Sequence, residues 1–299
     1  MSEPGPRGDI GALRSELEQI GPLLVAFSGG ADSAFLAWVA TDTLGPDLVR
    51  CVTAVSPSLA PEELADCRAL AAEWGLRHLE VGTDELADPA YAANDGSRCY
   101  HCKTSLLDAL GPLATEEDGP VATIALGVNL DDLGDHRPGQ RAAAERGARF
   151  PLVTAGFTKA DVRASSRYLG LRTWDKPAAA CLASRVPYGI PVTLGTLRSV
   201  AGAESRLRSM GFRQVRVRHY GDTARIEVPE EDLAAMVARR AEVAGALHRA
   251  GYRYVTLDLD GFRSGNLNEA LTDLDRTRPG DGVGRGAPEE LSSAPGARP

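Results

Sequence analysis

The 299-residue sequence is poor in lysine, in aromatic residues and in long apolar runs. No apolar run approaches the roughly 20 residues that a membrane span requires, which excludes an integral membrane protein of the helical kind. The first residues, MSEPGPRGD, lack the basic and apolar regions of a secretion signal. We therefore expect a cytoplasmic protein with no membrane partner.

Cysteine and net positive charge are scarce as well. Five cysteines in a chain of this length do not make a disulfide scaffold, and spaced cysteines in a cytosolic protein more often indicate metal binding or catalysis. The chain has 33 Lys and Arg against 41 Asp and Glu, a net charge of −8. A general nucleic-acid binder usually carries a basic face, so we expect no nucleic-acid partner.

Only three of the 33 basic residues are lysines: Lys103, Lys159 and Lys176. Arginine fills nearly every position where a plain positive charge suffices. A retained lysine therefore indicates a place that needs a compact ammonium rather than a planar guanidinium. Chance survival at three neutral surface positions explains the same count equally well.

Up to about residue 190, short buried strands alternate with helices, which predicts an α/β fold with a doubly wound, mostly parallel sheet. The predicted strands are Leu23–Phe27, Leu48–Val55, His78–Val81 and Val121–Leu126. The predicted helices are Leu13–Ile20, Ala34–Thr43, Pro61–Trp74, Ser105–Leu113 and Lys159–Leu169.

The pattern changes after residue 190. We predict helices at Leu194–Met210 and Glu231–Ala250 and strands at Val215–His219, Ala224–Val228 and Tyr254–Leu259. The sequence thus predicts a nucleotide domain over 10–190 and a smaller C-terminal α+β domain over 191–275, for substrate binding or oligomerisation. Residues 1–9 and the Gly/Pro-rich segment 276–299 are predicted to be disordered, because they cannot bury enough apolar surface.

A glycine-rich loop, SGGADS at residues 28–33, lies between a predicted strand and a predicted helix. Its glycines allow close backbone approach, and the N–H groups at the new helix start form an anion site suited to phosphates. Asp32 is placed to hold a Mg²⁺ ion that bridges those phosphates. The Walker pattern is absent. A glycine turn capped by Ser and Asp is an equally good reading of these residues alone.

The loop resembles the SGGxDS loop of the PP-loop ATP pyrophosphatases, which attach AMP to a substrate oxygen and release pyrophosphate. A second match is GVNLDD at residues 127–132, directly after the strand VATIAL. The resemblance implies that ATP is bound by Ala26, Ser28, Gly29, Gly30, Asp32, Ser33, Gly127, Asp132 and Arg185.

A narrower resemblance covers residues 10–270. The segments DHRPGQRAAAERGAR, FTKADVRA, CLASRVPYG, VRVRHYGDTARIEVPE and GYRYVTLDLDGFRSGNLNE resemble the LarE family of ATP-dependent sulfur transferases. That family contributes to the nickel-pincer nucleotide cofactor by converting carboxylates of a pyridinium biscarboxylic acid mononucleotide into thiocarboxylates. The resemblance implies ATP, Mg²⁺, this mononucleotide, and sulfide or a sulfur donor protein as ligands and partners, and a homo-oligomer.

The cysteines Cys99 and Cys102 form a C-x-x-C, and Cys181 opens CLASR far downstream. A C-x-x-C alone suits zinc, an iron–sulfur cluster or a redox pair. Three cysteines without an obvious fourth ligand fit a [4Fe–4S] cluster with one open iron. The resemblance implies the three-cysteine, cluster-bearing type of LarE, in which Cys181 is catalytic. The alternative is the type in which Cys181 gives up its own sulfur and becomes dehydroalanine. Cys51 and Cys67 are predicted to be core residues.

Arg216 and Arg218 alternate along one strand and project from one face, and Arg263 lies in a Gly-flanked loop. The resemblance implies that these three bind the substrate phosphate. It also implies that Lys103 is catalytic, in addition to Asp32 and Cys181. Glu204 and Glu227 match family carboxylates, as ligands of a divalent metal or as salt-bridge partners of the arginines.

These observations predict two steps: adenylation of the substrate carboxylate with release of pyrophosphate, then attack of sulfur on the acyl-adenylate. The first rival is a tRNA thiolation enzyme of the same superfamily, which the net charge disfavours. The second is a non-catalytic ATP-sensing module, which leaves the three cysteines unexplained.

Overall fold

The structure, a computed structural model, describes residues 8–115, 121–134, 138–177 and 180–263. Of the segments predicted to be disordered, 276–299 and residues 1–7 lie outside this part. Asp9 is described: its side chain caps the first helix by accepting a hydrogen bond from Gly11 N at 2.7 Å. Across the described residues, no helix combines the length and the apolar character that a membrane crossing needs.

The elements alternate as predicted in the first two thirds of the chain. The helices are α1 (Ile10–Ile20), α2 (Ala31–Leu44), α3 (Pro61–Trp74), α4 (Pro89–Ala92), α5 (Arg98–Ala114), α6 (Pro138–Glu145), α7 (Pro151–Thr154), α8 (Lys159–Tyr168), α9 (Leu194–Ser209), α10 (Glu230–Ala238) and α11 (Arg240–Arg249). The strands are β1 (Leu23–Ala26), β2 (Val49–Val55), β3 (His78–Gly82), β4 (Thr123–Leu126), β5 (Arg216–Tyr220), β6 (Thr223–Glu227) and β7 (Tyr254–Leu257).

Strands β1 to β4 form one parallel sheet in the order β3-β2-β1-β4. Helices cover both faces. Leu23 and Val25 pack with α1, α2 and α8 on one face, whereas Leu24 packs with α5 on the other. A parallel sheet buried on both faces needs continuous apolar strands, which explains the run LLVA in β1. The predicted α/β, doubly wound fold is confirmed.

The carboxyl ends of β1, β2 and β4 meet at one edge of this sheet, because parallel strands end on the same side. Ala26 of β1 pairs with Val52 of β2 and with Leu126 of β4. The loops that follow these strands are therefore neighbours. Ligands of open α/β sheets bind at this edge.

The C-terminal part contains a separate three-stranded sheet in the order β5-β6-β7. Strands β5 and β6 are antiparallel, with Arg216 opposite Glu227, and β6 and β7 are parallel. Val217 and Ile226 pack with α9 and α11 in a second core. This mixed sheet agrees with the α+β pattern predicted after residue 190.

Helices α4, α6 and α7 were not predicted, and two predicted helices differ from the observed ones. Helix α5 begins at Arg98 rather than Ser105, so the C-x-x-C lies on a helix. The predicted helix Glu231–Ala250 is two helices, α10 and α11, which meet at Arg239 (φ −98°, ψ 20°). The Arg239 guanidinium donates to Met210 O at 2.6 Å. That bond comes from a distant part of the chain and is not visible in local periodicity.

Candidate active site

The loop predicted to bind phosphate connects β1 to α2. Gly29 has a φ of 67°, a left-handed conformation that glycine adopts without strain. The Ser33 hydroxyl closes the loop, since it accepts from Ser28 N at 3.2 Å and donates to Gly30 O at 3.2 Å. Helix α2 begins without a side-chain cap from any described residue. The N–H groups of its first turn are therefore available to an anion.

The segment after β4 packs directly on this loop. A Cβ on Gly127 would lie 2.7 Å from Ser33 N and 2.8 Å from Ser33 Cα. Only glycine allows this approach without displacing the helix start. The structure thus brings together the two segments that the sequence matched separately.

Asp32 is the point where three distant segments meet. Its Oδ1 accepts from Asn129 Nδ2 at 3.1 Å, and its Oδ2 forms an ion pair with Lys159 Nζ. The main-chain N–H of Lys159 donates to Asp131 Oδ2 at 2.7 Å. Asp132 Oδ2 accepts from Asn129 N at 3.1 Å. Both oxygens of the carboxylate predicted to hold Mg²⁺ thus face donors, one of them a full positive charge.

Lys176 supports the loop from its other side. Its ammonium donates to Glu63 Oε2 at 2.8 Å and to Asp66 Oδ2 at 2.6 Å, and lies 3.7 Å from the place of a Cβ on Gly29. Burial lowers the pKa of Lys176, but Asp66 and Glu63 raise it more, so the net direction is upward. Lys176 therefore links α3, through two ion pairs, to the segment that leads to Cys181.

Cys51 and Cys67 are fully buried in the core, as predicted. Burial raises the pKa of the Cys51 thiol to about 12 and raises that of Cys67 as well. Neither thiol reaches solvent, so neither is a candidate for sulfur chemistry.

The other three thiols lie in one region. Cys99 and Cys102 occupy one face of the first turns of α5, a segment we call the C-x-x-C turn (residues 99–102). Cys181 begins the Cys181 turn (residues 180–184). Cys99 and Cys181 are exposed, whereas Cys102 is half-buried against Leu182 and its neighbours. Burial, followed by the charge of Cys181, raises the pKa of Cys102 to about 12.

Within the described part of the chain, no three His, Cys, Asp or Glu side chains are arranged to hold a metal ion. The three thiols share one region without forming a closed ligand set. Three thiols are nonetheless the donors that an iron–sulfur cluster takes, so the chemistry of the set fits. The cluster stays a prediction. Lys103 follows Cys102 on α5, and its charge lowers the Cys102 pKa against burial.

Buried arginines hold the main chain of the Cys181 turn. Arg98, Arg185 and Arg218 are each at most 5% exposed. Nη1 of Arg185 donates to Ala180 O at 2.7 Å and to Cys181 O at 3.2 Å. Nη1 of Arg98 donates to Ala183 O at 3.0 Å. Nη1 of Arg218 donates to Ser184 O at 2.8 Å. Carbonyls of a turn without a strand partner need such donors.

Two of these arginines are neutralised by buried carboxylates. Arg185 binds Glu204 through Nε and Nη2 at 2.8 and 3.1 Å, and Arg218 binds Glu227 in the same way at 2.9 Å for both atoms. Glu204 also accepts from Arg208 at 2.6 Å. The structure therefore has these glutamates in the salt-bridge arrangement. Their metal role, the phosphate role of Arg218 and the nucleotide role of Arg185 stay predictions.

Arg216 differs from its neighbours. It is 8% exposed, and among the described residues no carboxylate lies within salt-bridge distance of its guanidinium. It stacks on the Phe262 ring at 4.3 Å. Burial, then the charges of Arg185 and Arg218, lower the pKa of Arg216 to about 10. A buried cation without an anionic partner is suited to an anionic ligand.

Comparison with known proteins identifies the family. A scan against models of protein families gave no match. The chain is 47% identical to an uncharacterised Synechocystis protein over 262 residues, 87% of this chain and 97% of the relative. It is 39% identical to the pyridinium-3,5-bisthiocarboxylic acid mononucleotide synthase of Lactiplantibacillus plantarum over 260 residues, 87% of this chain and 94% of the relative. This chain belongs to the LarE family.

A third relative of this LarE chain is an uncharacterised protein of Methanocaldococcus jannaschii. It is 26% identical over 245 residues, which are 81% of this chain and 91% of the relative. All three matches extend over nearly the whole length of the relatives. The likeness therefore includes both the parallel sheet and the C-terminal sheet.

In this LarE chain the predicted residues form two groups. The first surrounds the loop after β1, and the second surrounds the Cys181 turn and β5. Arg263 stands apart: it is exposed and pairs with Asp260 at 3.1 Å, although its neighbour Phe262 stacks on Arg216. Its phosphate role stays a prediction.

Sequence reasoning missed Lys159 and Arg98, and also Asn94, whose Nδ2 donates to Pro187 O at 2.8 Å. The scarcity of lysine was the available signal for Lys159, which was singled out without a role. Arg98 directly precedes the C-x-x-C, and no composition or spacing rule distinguishes it from 29 other arginines. Asn94 carries no local signal except a preference for turns.

Proposed function

We propose that the chain is an ATP-dependent sulfur transferase that converts a carboxylate of pyridinium-3,5-biscarboxylic acid mononucleotide into a thiocarboxylate, for nickel-pincer nucleotide biosynthesis. The observation that carries this proposal is the 39% identity, over 94% of its length, to a synthase named for the bisthiocarboxylic acid product. The placement of the site residues supports it.

The nucleotide half of the site suits ATP. Free N–H groups at the start of α2 and the glycines of the loop cradle phosphates. Asp32 is the residue that would hold Mg²⁺: a carboxylate is a ligand that Mg²⁺ takes, and Lys159 Nζ would have to move off Oδ2 for the metal to bind. Bound Mg²⁺ supplies neutralisation of phosphate charge. A substrate carboxylate attacks the α-phosphorus, the bond to the β-phosphate oxygen breaks, and pyrophosphate leaves. Lys159 is placed to stabilise that leaving charge.

The substrate half suits an anionic mononucleotide. Arg216 offers a guanidinium without a carboxylate partner, and bidentate pairing of arginine with phosphate is geometrically favourable. It lies on β5 beside Arg218, whose Nη1 holds the Ser184 carbonyl. A phosphate on Arg216 would therefore place the rest of the substrate next to the Cys181 turn.

The sulfur half contains Cys99, Cys102 and Cys181. We propose that these thiols would hold a [4Fe–4S] cluster, which would supply a sulfur nucleophile for the acyl-adenylate. Sulfide or a donor protein would be the source of that sulfur. The alternative, in which Cys181 donates its own sulfur, needs neither Cys99 nor Cys102, whereas a cluster gives all three thiols a role.

The experiment is an anaerobic reaction with the mononucleotide, ATP, Mg²⁺ and sulfide. We expect AMP, pyrophosphate and thiocarboxylate product, with several turnovers per chain and loss of product in Cys99→Ala, Cys102→Ala and Cys181→Ala. Cys51→Ala is the matched control, because it removes a buried thiol outside the region. A single turnover, together with loss of the elements of H₂S from Cys181, would show the sacrificial reaction instead. If the parent released no pyrophosphate in this reaction, the proposal would be refuted.

A further inference from the structure

The chain from 180 to 190 carries Cys181, and side chains from outside it bind several of its carbonyls, in addition to main-chain bonds such as that from Leu182 N to Ser58 O at 2.8 Å. Three guanidiniums hold its first carbonyls, as described above. A further residue, Asn94, holds its second part: Nδ2 donates to Pro187 O and to Ile190 O, both at 2.8 Å. The Asn94 carbonyl accepts from Gly189 N at 3.0 Å.

Asn94 has an uncommon backbone conformation. Its φ is 56°, and it is the non-glycine residue that the structure describes with a positive φ. It is also fully buried. Such a conformation costs free energy and persists where surrounding contacts require it. Here it aims the amide of Asn94 at the carbonyls that follow the Cys181 turn.

Arg98 joins Asn94 to the Cys181 turn. The same Nη1 atom donates to Asn94 Oδ1 and to Ala183 O, the latter at 3.0 Å. Its guanidinium lies over the Tyr188 ring at 5.4 Å. Since Arg98 begins α5, the residue after it is the first thiol of the C-x-x-C turn. The residue that directly precedes the C-x-x-C turn therefore binds the Cys181 turn through its side chain.

The charge of Arg98 is not neutralised by a carboxylate. Arg185 and Arg218 each have a buried glutamate partner, but none of the described carboxylates lies within salt-bridge distance of Arg98. The groups that its guanidinium contacts are instead the Asn94 amide oxygen, the Ala183 carbonyl and the Tyr188 ring. Satisfying one carbonyl does not require a buried charge, because a neutral donor would suffice.

We propose that Asn94 and Arg98 are positioning residues that hold the Cys181 turn against the C-x-x-C turn, so that the three thiols act as one sulfur site. The assignment of that site rests on the proposed function. The positioning itself is a statement about the protein without ATP, substrate or iron, and is tested in that state.

The test uses dibromobimane on the reduced, metal-free full chain. The reagent fluoresces after two neighbouring thiols have each displaced one bromide, and peptide mass spectrometry identifies the bridged pair. We expect the parent to bridge Cys181 to Cys99 or Cys102. In Arg98→Met, the ratio of bridged to separately labelled product should fall about tenfold, the population change that follows loss of one charge-assisted hydrogen bond.

The matched control is Arg239→Met. Arg239 also donates to a main-chain carbonyl, that of Met210 at 2.6 Å, but contacts neither the C-x-x-C turn nor the Cys181 turn among the described contacts. Arg239→Met should be less stable than the parent but should keep the parental ratio of bridged to separately labelled product. Asn94→Gly is the second variant: glycine keeps the left-handed backbone, removes the amide and leaves the Arg98 charge in place. It should lower the ratio as Arg98→Met does, and it decides the question if Arg98→Met does not fold.

Parental bridging in folded Arg98→Met or in Asn94→Gly would overturn the proposal. An equal loss in Arg239→Met would also overturn it, because the effect would then be general destabilisation. A parent that bridges as expected but releases no pyrophosphate would leave the positioning intact and refute the proposed function.

Discussion

Replacing Gly127 with alanine tests the closest backbone contact of the nucleotide half. The new Cβ would stand 2.7 Å from Ser33 N, 2.8 Å from Ser33 Cα and 2.9 Å from the Asp32 carbonyl carbon. All three atoms are backbone of the first turn of α2, so no side-chain rotation relieves the overlap. Overpacking of this kind costs about 1–3 kcal/mol. We expect the free energy of unfolding to fall by about 2 kcal/mol.

The same displacement should weaken ATP binding, because the turn that moves carries the N–H groups of the anion site. A misfit of about 1.4 kcal/mol in the bound state corresponds to about a tenfold rise in Kd. Urea unfolding measures the first effect and isothermal titration calorimetry the second. Gly195→Ala on α9 is the control: apart from its own chain neighbours and helix backbone, the nearest described atom to its Cβ is Thr193 Oγ1 at 3.7 Å, an ordinary contact, and alanine in a helix should stabilise by about 0.5–1 kcal/mol. Parental stability and ATP affinity in Gly127→Ala would refute the packing argument.

Three further perturbations have defined outcomes. Arg216→Met should raise the free energy of unfolding of the substrate-free protein by about 1 kcal/mol, because it removes a buried unpaired cation, and should abolish thermal stabilisation by the mononucleotide. Lys159→Met removes the ammonium on Asp32, and steady-state pyrophosphate release should fall at least about tenfold. Burial raises the pKa of Asp66, but hydrogen bonds and charges from Lys176 and Arg172 have the larger combined effect and lower that pKa below its usual 3.8. The stability it contributes is present above that value and lost as pH falls through the lowered pKa, so Asp66→Asn should flatten the acid limb of a stability–pH curve.

The fold could be predicted because its signals are local. Helix α3 starts at Pro61 and ends before Gly75, whose φ is 64°, and both residues are standard boundary signals. The buried run in β1 followed by a glycine turn predicted the strand, the loop and α2 in order. The loop of the proposed nucleotide half could be located from the same segment, since strand, loop and helix are contiguous.

The remainder depends on contacts between distant residues. Lys159 and Asp32 are 127 positions apart, and no periodicity connects them. The break at Arg239 depends on a carbonyl 29 residues away. Asn94 acquires its function only through the turn it holds, which lies more than 90 residues downstream. Such positions are fixed by tertiary geometry, which composition and spacing do not encode.

Glu204 makes the two parts of the chain depend on each other for folding. Its fully buried carboxylate accepts from Arg185, which follows Cys181, and from Val217 N of β5 at 3.1 Å. Unfolding either part alone would break the bidentate pair of Arg185 and Glu204, although Arg208 would still bind Glu204. We therefore expect the predicted boundary near residue 190 to separate two architectures but not two cooperative units. Calorimetry should show one melting transition, and a fragment of residues 10–190 made alone should lose the shape of the turn that carries Cys181.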